Sequence, residues 1–170
     1  AQIRADAWGY VAPGYPEKAA EFAFRDAAVS HVKNGIYGEM LMAAMLSASF
    51  MSDDLEEIIA IGLSEIPAKC RLAEAMKDTL AWSKECDTWQ EAWKKINEKY
   101  GHYHGVHTIN NAAMVLMGLL YAQGDYEKSI AISVMGGWDT DCTGATAGSI
   151  AGAMLGAKAL PDKWVKPLND

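Results

Sequence analysis

Two aspartates one residue apart, Asp139 and Asp141, follow the glycine pair Gly136-Gly137 in the stretch GGWDTDCTGATAGSIAGAMLG, residues 136–156. Carboxylates at i and i+2 of a regular helix point about 200° apart, so inside a helix they could not share a ligand. At the irregular entrance to a helix they can converge. The two glycines let the chain turn there and let a partner approach the backbone closely. Hard anionic oxygens at such a place suit Mg²⁺ or Mn²⁺, which prefer carboxylate, hydroxyl and water ligands; Thr140 or Thr143 could add a hydroxyl. The competing reading makes Asp139 an N-cap and Asp141 a first-turn acid that complements the helix dipole, and from these residues alone it is the commoner arrangement. Gly144, Gly148, Gly152 and Gly156 then form one stripe on the following helix, each costing about 1 kcal/mol of helix propensity relative to Ala. That stripe is expected to let a neighbouring helix pack unusually near.

Four histidines are the other residues able to do chemistry. His31, in SHVKNG, taken alone reads as a structural cap near a helix end. His102, His104 and His107 share the loop GHYHGVHT, whose spacing is not that of a zinc-binding helix, and His107 and Asn110 are expected to face a cleft. The three cysteines, Cys70, Cys86 and Cys142, are odd in number and lack C-x-x-C spacing, which points to reduced thiols in a cytoplasm.

Bulk composition narrows the partners. With 170 residues, 51% of them apolar and 22% charged, one domain spanning 1–170 is expected. A net charge of -7 leaves no basic surplus to neutralise phosphates, so neither nucleic acid nor an anionic membrane is expected as a partner. The N-terminus AQIRADAWGY has no signal-peptide pattern, and the uncharged run Cys142 to Ala157 is shorter than the roughly 20 residues of a spanning helix. A cytoplasmic, soluble chain is the expectation.

The elements that must position these residues all carry the helical period. Helices are expected from Pro16 to His31, broken by Asn34-Gly35, and from Ile36 to Met51, the latter apolar nearly all round and therefore central. Ser52 or Asp53 would cap the next, with Glu56 and Glu57 in its first turn. Pro67 restarts the chain. Thr88 caps a helix with Trp89, Trp93 and Ile96 on one face, which Gly101 ends. INNAAMVLMGLLYAQG is a second buried helix, Asp125 caps the next, and DTDC opens the last long one, stopped by Pro161. The Met and Trp residues are expected in the core. No alternating strand pattern or whole-unit repeat occurs, so the fold class is all-α, a compact multi-helix bundle.

GGWDTDCTGATAGSIAGAMLGA resembles the C-terminal signature of the ADP-ribosylglycohydrolases, the family of dinitrogenase-reductase-activating glycohydrolase and the ADP-ribosylhydrolases, whose usual form is G-G-D-T-D-T before a small-residue helix. The resemblance covers essentially the whole chain. Residues 3–40, IRADAWGYVAPGYPEKAAEFAFRDAAVSHVKNGIYGEM, look like the stretch from the family's phosphate loop through its S/T-H…G…G turn, and HTINNAAMVLMGLLYAQGDYEKSIAISVM like the helix pair before the signature.

The resemblance implies an all-α hydrolase with a binuclear Mg²⁺ or Mn²⁺ site that cleaves an N- or O-glycosidic bond of ADP-ribosylated substrates. Asp139 and Asp141 match its metal-binding aspartates. Its threonine ligand falls on Cys142, a softer donor, so that Thr143 substitutes, one metal is held differently, or Mn²⁺ is preferred. Gly137, Trp138 and Thr140 would line the substrate pocket, Trp138 being a further departure from the usual form. Ala1, Gln2, Ile3 and Arg4 match the phosphate loop, and His31, Gly35, Ile36 and Tyr37 would contact ADP-ribose. The family's earlier S/T-x-D-D-T motif has no counterpart: Ser52-Asp53-Asp54 meets Leu55 where Thr should stand and reads as a helix cap. The expectation is therefore a C-terminal portion of a longer enzyme, inactive alone, whose missing N-terminal portion would be a partner and whose exposed apolar helix faces would favour a homo-oligomer. The alternative expectation is a non-catalytic helical module of the same family, binding a ligand or serving structurally.

Overall fold

The computed structural model describes residues 2–168. Local capping signals place most helix starts. Asp54, Thr88 and Asp125 each accept backbone N–H groups from the first turns of α4 (Leu55–Ser64), α6 (Trp89–Tyr100) and α8 (Tyr126–Met135), and Thr88 forms a reciprocal capping box with Glu91. Asp54 rather than Ser52 or Asp53 takes the cap of α4; the Ser52 hydroxyl accepts the Asp54 N–H at 3.1 Å instead. Pro16 opens α2 (Pro16–Ala27) at its first helical position, where its missing N–H costs nothing.

Two boundaries differ from expectation for tertiary reasons. Asn34 begins α3 (Asn34–Ala48) instead of breaking a helix: Lys33 takes the turn at φ 50°, and Asn34 Oδ1 accepts the N–H of Leu72 at 3.2 Å, in the first turn of α5 (Arg71–Glu85). α9 (Thr140–Leu155) stops at Gly156, whose φ of 74° a glycine adopts freely, five residues before Pro161. The N-terminus is not a loop. Gln2–Arg4 form a 3-10 turn that runs into α1 (Ala5–Val11), while Ala1 of the matched phosphate-loop stretch lies outside the described residues. A short α10 (Asp162–Val165) follows α9. No strand occurs among the described residues, and none of their helices is long and apolar enough to cross a membrane.

α3 and α7 (Thr108–Ala122) form the centre. Leu41, Met45, Met114 and Leu116 are fully buried, and α7 packs against α3, α5, α6, α8 and α9. The core expectation holds for Met42, Met76 and Met117 and fails for Met51 and Met135, which are 77% and 60% exposed. Trp89, Trp93 and Ile96 do share the inward face of α6.

Three glycines of the stripe on α9 do what the pattern implies. A Cβ on Gly144 would lie 2.9 Å from Val134, on Gly148 3.3 Å from Ile130, and on Gly152 3.4 Å from Tyr126. Each meets a residue four back along α8, so a ridge of i, i+4 side chains fills an antiparallel groove of absent ones. Gly156 is the helix stop and has nothing beside it. From the other side, Asp6 of α1 accepts the Ser149 hydroxyl at 2.5 Å and ties the N-terminal helix to α9.

Candidate functional site

Between α8 and α9 the chain takes two left-handed residues in succession, Gly137 at φ 82° and Trp138 at φ 62°. Glycine adopts this freely, whereas a tryptophan held there is strained by about 1–3 kcal/mol and needs surrounding contacts to persist. Those contacts are present. The Trp93 indole N–H donates to the Gly136 carbonyl at 2.8 Å, the Asp139 N–H donates to Asn111 Oδ1 at 3.1 Å, and the Trp138 ring packs on the core.

This kink bears on the capping reading of the aspartate pair. Asp139 occupies the N-cap position of α9, yet its side chain makes no capping hydrogen bond, unlike Asp54 and Asp125. Its carboxylate turns instead toward Asp141 and Cys142, so that one donor atom from each of the three lies within 4.8 Å of the others. The i, i+2 carboxylates converge because the first precedes the helix. Burial, and then a hydrogen bond to Asp139, push the Cys142 thiol up to about 12. Two carboxylates and a thiol on one side of a divalent cation form a usable donor set, harder at Asp139 and Asp141 than at Cys142. Thr143 is buried with its hydroxyl donating to the carbonyls of Ser133 and Thr140 at 3.4 Å, turned into the α8–α9 contact. The ligand role expected of it has no support in this geometry.

Asp139 and Cys142 form one wall of a cavity of about 370 Å³. Gln2 from the 3-10 turn, His31 and Gly35 from the entrance to α3, and His107, Thr108 and Asn111 from the start of α7 complete it. Glycines bring these elements close: a Cβ on Gly35 would lie 3.1 Å from the His31 side chain, and one on Gly38 only 2.1 Å from Thr108 Oγ1. His31 Nδ1 lies 2.8 Å from the Ser30 hydroxyl, and burial holds its pKa below the usual histidine value. Gln2 is 6% exposed; its Oε1 accepts the Thr108 hydroxyl at 3.2 Å while its Nε2 has no partner.

Of the residues singled out from sequence, the cavity thus gathers Gln2, His31, Gly35, His107, Asp139 and Cys142, with Asp141 exposed beside it. Ile3, Tyr37, Gly137, Trp138 and Thr140 do not line it. Nor does Arg4, whose guanidinium is held at 2.7 Å by Asp26 and at 3.2 Å by the Ser30 hydroxyl. Asn110 is corrected to Asn111. Helical spacing puts position 111, four residues after His107, above it on one face, and Asn111 Nδ2 donates to the His107 carbonyl at 2.8 Å. Asn110 is fully buried and turned to the His104 carbonyl.

Glu39 was not foreseen. It is fully buried on α3, accepts the Trp8 indole N–H at 3.1 Å, and lies 3.8 Å from Arg4. Burial, and then the neighbouring Asp26 carboxylate, raise its pKa to about 8. A glutamate inside an apolar helix pattern was the available signal. A second, more apolar cavity of about 410 Å³, between Leu55, Leu119, Leu120 and Met154, contains none of the residues expected to do chemistry.

The family model for ADP-ribosylglycohydrolase matches residues 1–170. No curated protein and no solved structure matches the chain.

Proposed function

Because the chain belongs to the ADP-ribosylglycohydrolase family, we propose that it serves metal-dependent hydrolysis of the glycosidic bond in ADP-ribosylated substrates, with Mg²⁺ or Mn²⁺ as cofactor. The observation that carries this reading is the carboxylate of Asp139, which stands at a helix N-cap without capping and converges with Asp141 and Cys142 instead.

Asp139, Asp141 and Cys142 would hold the cation. Bound there, it would supply a water acidic enough to attack the anomeric carbon near neutral pH. The remaining work falls to the chain's own groups. Asn111 and Trp93 fix the backbone of the kink, so that the Asp139 carboxylate needs no reorganisation to meet a ligand. Gln2 would offer a buried, unpartnered amide N–H to a substrate oxygen, and His31, which lines the same cavity as Asp139, would contact the ribose. Gly35 leaves the His31 side chain the space a Cβ would take.

The test is hydrolysis of ADP-ribosyl-arginine, ADP-ribosyl-serine and O-acetyl-ADP-ribose by the natural protein that contains this chain, with and without Mn²⁺. Turnover that requires Mn²⁺ and is lost in Asp139→Asn supports the reading. The non-catalytic alternative rests on Cys142, a neutral, high-pKa thiol where the family places threonine. Binding of ADP-ribose without turnover of any of the three substrates would favour that alternative.

A further inference from the structure

His107 caps α7 with its ring rather than with a hydroxyl or carboxylate. Its Nδ1 accepts the Ile109 N–H at 3.2 Å, and a nitrogen that accepts carries no proton, so the neutral ring's hydrogen sits on Nε2. The ring plane is set independently. Tyr103 stacks on it with centroids 4.4 Å apart at 17°, and His102 backs Tyr103 at 4.1 Å. Burial keeps the ring below the usual histidine pKa, which favours this neutral form. Tautomer and orientation are therefore both decided before any ligand arrives.

What is left over is one donor. Nε2 meets no protein acceptor among the described residues, and it is not a buried orphan, since the ring lines the cavity that Asp139 and Cys142 also face. Gln2 presents a second unpartnered donor to the same cavity. Asn111, which also lines the cavity, spends its Nδ2 on the carbonyls of Gly105 and His107 and its Oδ1 on Asp139. The cavity thus offers hydrogen-bond donors as well as the Asp139 carboxylate as an acceptor.

We propose that His107 is a specificity-determining residue whose Nε2–H donates to an acceptor oxygen of the ADP-ribose moiety. This rests on the functional reading above. A neutral donor fixed in tautomer and plane selects an acceptor atom at one position and rejects an analogue that puts a donor or nothing there. A purely structural cap would need none of this. His104 supplies the comparison: its Nδ1 accepts the Val106 N–H at 3.3 Å in the same loop, but it is exposed and does not line the cavity.

The experiment is calorimetric titration of the full chain with ADP-ribose in Mn²⁺ buffer, using His107→Asn, His107→Ser and His104→Asn, together with ¹⁵N spectra of the histidine rings. Asn and Ser both keep an N-cap. Removing one neutral hydrogen bond should weaken binding by about five- to tenfold in each His107 variant and leave His104→Asn at the wild-type value. The His107 ring should show the Nε2–H pattern, and that resonance should move on adding ADP-ribose. Unchanged affinity in both His107 variants, or an Nε2 resonance that ADP-ribose leaves in place, would overturn the assignment while the functional reading stands. Wild-type chain that takes up no ADP-ribose at all would overturn both.

Discussion

Asn111 Oδ1 accepts the backbone N–H of Asp139 at 3.1 Å, tying the first turn of α7 to the entrance of α9. With the indole of Trp93 on Gly136, this bond holds a kink that Trp138 would otherwise resist. Asn111→Ala should loosen the kink and leave the Gly105 carbonyl without its donor, while the His107 carbonyl keeps only the backbone N–H of residue 111, at a cost of about 1–3 kcal/mol. Denaturant melts give the stability change, and Mn²⁺ titration should show weaker uptake in parallel.

Two N-cap aspartates should behave oppositely. Asp54→Ala removes a carboxylate that accepts from Glu56 and Glu57 and should destabilise by about 1 kcal/mol. Asp139→Ala removes one that caps nothing, so thermal stability should hold while Mn²⁺ binding is lost. Loss of stability in Asp139→Ala equal to that in Asp54→Ala would mean that the carboxylate is structural.

Three donors are fewer than the roughly six oxygens Mg²⁺ takes, so the chain should bind a single Mg²⁺ or Mn²⁺ weakly. The thiol favours a softer ion. Addition of Co²⁺ should produce a thiolate-to-cobalt charge-transfer band in the near ultraviolet, absent in Cys142→Thr. The same variant should gain Mg²⁺ affinity severalfold. Cobalt binding without that band would show that Cys142 stands aside.

The buried Glu39 gives stability a pH dependence of definite sign. Below the ordinary glutamate value of 4.5, folded and unfolded chains both hold its proton, and burial carries no ionisation cost. As pH rises from there to about 8, the unfolded chain ionises while the folded one keeps its proton, so stability falls across that window. Glu39→Gln keeps an acceptor for Trp8 and a donor for Asp26, and should flatten the change in melting temperature over the same range.

Two glycines separate close approach from simple helix cost. A Cβ on Gly118 would stand 1.9 Å from Ser133 Oγ and 2.8 Å from the Ser129 carbonyl, and backbone cannot yield, so Gly118→Ala should cost about 1–3 kcal/mol. On Gly148 it would meet side-chain atoms alone, Ile130 at 3.3 Å and the Tyr126 hydroxyl at 3.6 Å, where about 1 kcal/mol of regained helix propensity offsets the crowding. Chemical melts of the two variants should therefore differ clearly in midpoint.

What could be read without coordinates is what neighbours in the chain decide. The period of apolar residues, the caps at Thr88 and Asp125 and the proline opening α2 each act within a turn or two, and the all-α class follows from them. The aspartate pair was legible as a helix entrance on the same ground, and the G-G-W-D-T-D signature supplied the family. Long-range contacts decided the rest. Asn34 starts a helix because its side chain caps another one, 38 residues on. Thr143 leaves the site because a carbonyl of α8 claims its hydroxyl. Asp139 caps nothing and turns toward Asp141 and Cys142 because Asn111 and Trp93, distant in sequence, hold the backbone in a conformation that no local preference of tryptophan would choose.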